Sequence, residues 1–162
     1  MYLVGDRVVH PMHGAGVIRD IVEEWMAGQR RRYYVFSLPV GELVLKIPTE
    51  SCDVIGIRGL STRDDIEALI AAIPGLPVDM TANWNRRYRE NLDRLKSGDL
   101  AEVARVIKTL MWRDRSRGLS NGERKMLHNA KQILLSEVVL VENSNYRETE
   151  QRIDRIMLEK AE

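Results

Sequence analysis

The spacing of apolar residues changes part-way along the chain. Over the first 60 residues they fall in short runs rich in β-branched and aromatic types, broken by glycine and proline, a pattern that predicts strands. Val4, Val8 and Val9 lead into His10-Pro11-Met12-His13-Gly14-Ala15-Gly16, where a proline and two glycines suit a tight turn. Val17 to Trp25 reads as the next strand, with Met26-Ala27-Gly28-Gln29 as a hairpin loop. Arg32 to Leu38 is a third, ended by Pro39-Val40-Gly41, and Glu42 to Ile47 a fourth, bounded by Pro48; Val54 to Ile57 reads as a fifth. Short strands separated by such turns predict a small, strongly bent antiparallel sheet closing into a barrel, with too little interior for a cofactor cavity.

Beyond this point the period becomes helical. Ile66, Leu69, Ile70 and Ile73 lie on one face of a helix from Thr62, which Pro74-Gly75-Leu76-Pro77 breaks. From about residue 81 the chain reads as nearly all helix. Trp84, Tyr88, Leu92 and Leu95 form one stripe; Leu100, Val103, Ile107, Leu110 and Met111 form the next. Ser97-Gly98-Asp99 supplies a glycine exit and an aspartate cap, with Glu102 in the reciprocal position, and Ser120-Asn121-Gly122-Glu123 is a second capping box. Met126, Leu127, Ala130, Ile133, Leu134 and Val138 line a third helix, and Asn143-Ser144-Asn145 precedes a last, charged one. The expected organisation is α+β: a β module over residues 1–60, then a linking helix and a bundle of about four helices over 61–162.

Charge sharpens this division. Residues 1–80 hold 8 Lys/Arg against 11 Asp/Glu, residues 81–131 hold 13 against 6, and the remainder 4 against 7, so a formal net charge of +1 conceals a basic centre. Apolar residues make up 44% of the chain, enough for a core. The single cysteine, Cys52, cannot form an internal disulfide. Neither a signal-peptide pattern nor a membrane-spanning apolar run is present, and a reducing cytoplasm is the simplest expected setting.

The basic centre begins with Trp84, flanked by Asn83, Asn85, Arg86, Arg87 and Arg89. Two readings of Trp84 stand on the residues alone. It starts a packed stripe, or it stands exposed in a first helical turn, where a planar wedge could stack on a base or enter a minor groove while arginines neutralise phosphates. Lys108, Arg113, Arg115, Arg117, Arg124, Lys125 and Lys131 extend the basic supply, with Arg124 and Lys125 the plausible longer-range phosphate contacts. In the β module, Arg30, Arg31, Arg32 and Lys46 could pair with a partner at an open sheet edge or equally protect that edge from aggregation. His10 and His13 lack an accompanying acid and nucleophile, and Gly14-Ala15-Gly16 lacks the spacing of a nucleotide fingerprint. No catalytic residue, cofactor, metal or small-molecule substrate is therefore expected; a small enzyme using these histidines and a general DNA- or RNA-binding protein are the competing readings.

In their order and spacing, Val4-Gly5-Asp6-Arg7-Val8-Val9-His10-Pro11, Tyr33-Tyr34-Val35, Val44-Leu45-Lys46-Ile47-Pro48, Ile55-Gly56-Ile57-Arg58, Asn83-Trp84-x-Arg86-Arg87-Tyr88 and Arg117-Gly118-Leu119-Ser120-x-Gly122-Glu123 resemble the CarD/CdnL family of bacterial transcription factors over essentially the full length. That resemblance implies a Tudor-like N-terminal barrel, residues 1–60, that binds the RNA polymerase β subunit. It implies a helical DNA-binding domain, residues 61–162, whose Trp84 enters the minor groove at the upstream edge of the transcription bubble and stabilises the open complex. Arg86, Arg87 and Arg89 become backbone-contact candidates beside Trp84, Lys46 matches a basic polymerase-contacting position, and a second such position falls near Glu24. Trp84 is then expected to present its ring largely to solvent, and the protein to work in the cytoplasm, on the nucleoid through polymerase.

Overall fold

The computed structural model describes residues 1–40 and 42–159; Gly41 of the expected turn and residues 160–162 of the helical part lie outside them. Strands β1 (Arg7–His10), β2 (Gly14–Met26), β3 (Gln29–Leu38) and β4 (Leu43–Pro48) are followed by a short helix, α1 (Cys52–Ile55), and by β5 (Arg58–Gly59). The rest is helical: α2 (Arg63–Ala72), α3 (Trp84–Lys96), α4 (Leu100–Arg117), α5 (Asn121–Glu142) and α6 (Tyr146–Met157).

The α+β character and the antiparallel pairing are as expected, but the barrel is not. The strands form an open sheet in the order β4-β3-β2-β1-β5, and closure would require β4 to pair with β5. Two features prevent it. Residues 54–57 are not a strand: Val54 and Ile55 belong to α1, which Gly56, at φ 94°, closes by donating its N–H to the Cys52 carbonyl. What remains of the fifth strand is two residues, and they pair only with β1, Val8 opposite Gly59 and Val9 opposite Arg58. A register shift in β2 between Ile18 and Asp20 supplies the bend. The hairpin loop is also tighter than expected, since Met26 already pairs with Gln29 and only Ala27 and Gly28, both at positive φ, make the turn.

Val8, Ile18, Tyr34, Phe36, Leu38 and Ile47 form one apolar cluster on the sheet, closed at one end by Cys52 and Ile57. A second, larger cluster joins Ile66 and Ile73 of the linking segment to Val103, Ile107, Leu110, Ile133, Leu134, Val138 and Ile153. Each fully buried aliphatic side chain there contributes about 1.5–3 kcal/mol. The helix starts follow their caps. Thr62 with Asp65 and Ser120 with Glu123 form reciprocal capping boxes, while Asn83 and Asn145 cap α3 and α6. The expected box at Asp99 and Glu102 does not form. Asp99 accepts the Ala101 N–H, and Glu102 instead lies 3.8 Å from Arg94. Arg94 competes successfully for that carboxylate because it is already held inward by Asn91 and Asp79.

Candidate nucleic-acid interface

α3 presents Trp84 in its first turn, and α5 determines how the ring lies. Trp84 stacks nearly parallel on Tyr88, with ring centroids 4.9 Å apart, and its Nε1–H donates to Ser120 Oγ at 3.0 Å. Both rings lie over the first turn of α5, beside Gly122. The indole is 41% exposed, so the expectation of a ring turned largely to solvent is met only in part. One face is used for stacking, the N–H is committed, and the outer edge is open.

The Ser120 box therefore does more than start α5. Its hydroxyl receives the indole N–H and donates to Glu123 Oε1 at 3.1 Å, while Glu123 accepts Arg87 Nε and Nη2 at 3.0 and 3.2 Å. Arg87 also donates to the Ala82 carbonyl at 2.8 Å, tying the approach to α3 into the same network. Burial opposes the charge on Glu123, yet the hydrogen bonds from Arg87 and Ser120 outweigh it and hold the carboxyl below its usual range. Arg113 approaches Glu123 to 4.0 Å, with Nε and Nη1 buried and unpartnered.

The predicted basic residues thus separate into two groups. Arg86, Arg89, Arg124 and Lys125 are exposed around the entrance to α3 and α5; Arg86 shares Glu90 at 3.0 Å, and Arg124 lies near the Leu119 carbonyl. Arg115 and Arg117 are exposed at the end of α4. Arg87 is turned inward, and so are Lys108 and Arg113 of the wider basic supply, with Lys131 half-buried. Lys108 donates to the carbonyls of Ile73, Pro74 and Leu76, and Lys131 is held by Glu150 and Asp154 on α6. Ser120, Tyr88 and Glu123 were missed as parts of the site. In the sequence, Ser120 and Glu123 stood out as a capping box and within a motif of the resemblance, neither of which announces the contacts to Trp84 and Arg87.

At the other end of the molecule, β4 is an edge strand with Leu43, Val44 and Lys46 exposed. Lys46 pairs with Glu24 on β2. At the hairpin tip, Trp25 and Met26 are exposed, Arg30 lies over the Trp25 ring and 3.5 Å from Glu23, and Arg31 and Arg32 point to solvent opposite Glu24 and Glu23. His10 and His13 have ring centroids 4.5 Å apart. Burial, then the neighbouring His13, lowers the pKa of His10 to about 4, and its Nδ1 accepts the Met12 N–H. Among the described residues no group of three His, Cys, Asp or Glu is placed to hold a metal ion, and no helix is long and apolar enough to cross a membrane.

Residues 2–61 match the family model described as the CarD-like/TRCF RID domain, and residues 68–154 match the CarD C-terminal domain. The chain belongs to the CarD family. It is 31% identical over 141 residues to YdeB of Bacillus subtilis (strain 168), described as a candidate transcription factor; the match spans 87% of this chain and 92% of that protein. CarD-family membership gives it a general transcription-regulatory role and places it among non-catalytic proteins. The motifs that carry the resemblance, from Val4 to Glu123, all fall within these two matched stretches.

Proposed function

We propose that this CarD-family chain docks its N-terminal sheet, within residues 1–60, on the RNA polymerase β subunit and sets Trp84, in the DNA-binding part 61–162, into the minor groove of promoter DNA at the upstream edge of the bubble. The exposed indole edge, held by Tyr88 and Ser120 on helices whose first turns carry exposed arginines and a lysine, is the observation that carries this reading. Arg86, Arg89, Arg124 and Lys125 serve as phosphate contacts, whereas Arg87 acts through Glu123 to hold the start of α3. β4, with Lys46 and the neighbouring Arg30, Arg31 and Arg32, is the polymerase-facing edge; Lys46 exchanges Glu24 for an acidic group on the partner.

The mechanism needs no chemical step. Docking on polymerase raises the local concentration of a weak DNA-binding surface at the promoter. Trp84 favours the open state only by as much as it binds distorted fork DNA better than closed duplex. The place of work is the cytoplasm, on the nucleoid through polymerase.

The test is Trp84→Ala in the intact chain. Because the ring is partly packed, the substitution costs about 2 kcal/mol of stability, below the roughly 3–5 kcal/mol of a fully buried aromatic. Open-complex lifetime, measured well below the variant's melting temperature, should collapse toward that without the protein, with polymerase affinity retained. A normal lifetime would remove Trp84 from the mechanism.

A further inference from the structure

α5 is gripped at both ends. Near its N-terminus, Ser120 and Glu123 hold Trp84 and Arg87. Near its other end it carries the sheet. Ser136 Oγ accepts the Ala15 N–H at 2.9 Å, and Arg7 donates to the Leu140 carbonyl at 3.0 Å. Gly14, at φ 104°, comes so close that an added Cβ would sit 2.3 Å from Ser136 Oγ and 3.1 Å from the Gln132 carbonyl oxygen.

Glu137 is the centre of this junction. It has no exposed surface, and its carboxylate accepts Arg58 Nη1 and Nη2 at 2.9 and 2.8 Å and the Ser61 N–H at 2.8 Å. Burial works against its charge, but the Arg58 and Ser61 hydrogen bonds prevail and its pKa is lowered. A buried ion pair is an inefficient source of stability, since apolar groups of the same shape often hold as well. What a forked, three-bond carboxylate adds is direction. Arg58 lies on β5 and Ser61 begins the link to α2, so one side chain fixes both the sheet and its exit to α5.

We propose that α5 is a rigid spacer and that Glu137 is a positioning residue, fixing the angle between the polymerase-facing sheet and Trp84. The 14 positions from Glu123 to Glu137 correspond to about 21 Å of helix. With both ends held, the two binding surfaces keep one separation, and docking of the sheet delivers Trp84 to one place on the DNA. Released at Glu137, the sheet would swing and the local concentration of Trp84 at its target would fall. This inference rests on the function proposed above.

Glu137→Gln in the full chain tests it, with Arg58→Lys, which keeps the charge and loses the fork, as a milder companion. Spin labels on exposed Val54 and Arg155, in a Cys52→Ala background, report the distance between sheet and bundle. Glu137→Gln should broaden that distance distribution and shorten the open-complex lifetime by about tenfold. Affinity for polymerase, and affinity of the free protein for duplex DNA, should each change less than about twofold, because neither surface is touched. Arg58→Lys should follow in the same direction with a smaller effect. An unchanged lifetime despite a broadened distribution overturns the proposal, and so does a shortened lifetime with a narrow one. If Glu137→Gln does not fold, Arg58→Lys decides by the same two readouts. Trp84→Ala, run in parallel, separates the cases: its failure to shorten the lifetime defeats the functional reading itself, whereas its success beside an inert Glu137→Gln defeats only the spacer.

Discussion

Removing the charge of Glu123 without changing its shape gives the sharpest check on the network beneath Trp84. In Glu123→Gln, Arg87 loses the carboxylate that accepts two of its N–H groups, while only 8% of Arg87 reaches solvent. An uncompensated buried cation of this kind costs about 3–5 kcal/mol, a large part of the roughly 5–15 kcal/mol that holds a domain together. Arg87→Met should cost a similar amount, since it strands Glu123, which is only 1% exposed. Arg113→Met should behave differently. Arg113 lies 4.0 Å from Glu123 and brings two buried, unpartnered donors, so it adds a second cation with little return. Its replacement should cost less than about 1 kcal/mol and could stabilise the fold. Urea unfolding of the three variants at neutral pH measures these differences. The pH dependence gives a second reading. The folded-state pKa of Glu123 lies below its unfolded value, so its contribution is complete above the unfolded pKa and is lost as pH falls through the folded one. Glu123→Gln should flatten that acid limb. If Arg113→Met is as damaging as Arg87→Met, the asymmetry argued from the geometry is wrong.

Duplex DNA affinity should fall steeply with salt, and removing Arg89 or Lys125 should reduce the logarithmic slope by about 0.9 each, whereas Arg113→Met should leave it unchanged; equal effects from all three would refute the division into outward and inward cations. Lys46→Glu should weaken binding to the polymerase β subunit while leaving the melting temperature within a few degrees, and undiminished binding in a pull-down or titration would remove Lys46 from that surface. His10 should titrate near pH 4 by NMR; because its folded pKa lies below the ordinary 6.5, acidification from 6.5 to 4 should destabilise the protein, and His10→Gln should lessen that loss.

Helix starts were legible wherever a short polar side chain met a free turn, as at Thr62 and Ser120. Asp99 likewise caps α4 as read, and only the reciprocal role of Glu102 failed, because Arg94 at the end of the preceding helix lies beside its carboxylate. Val54 to Ile57 has strand-forming types, but the local propensity lost to a helical turn closed by Gly56. The inward face of α3 was hidden for a different reason. Hydrophobic spacing selected Trp84, Tyr88, Leu92 and Leu95, whereas the deeply buried positions are Arg87, Asn91 and Leu95, four residues apart. Two of these three are polar, so an apolar pattern cannot find them. Glu137 left a fainter sign, a lone acid in the run from Ile133 to Val139, and its partner stands 79 residues earlier.

A sheet usually offers a partner strand two edges, but here the two are unequal. β5 is two residues long and can supply no more than a rung or two of a ladder, while β4 offers six residues. Strand addition is therefore confined to β4, and each chain can accept one added strand. On the docking mode proposed above, a second copy approaching edge to edge would take that same strand, making self-association and docking mutually exclusive. At high protein concentration the chain would act as its own competitor, and its regulatory output would pass through a maximum instead of rising to a plateau.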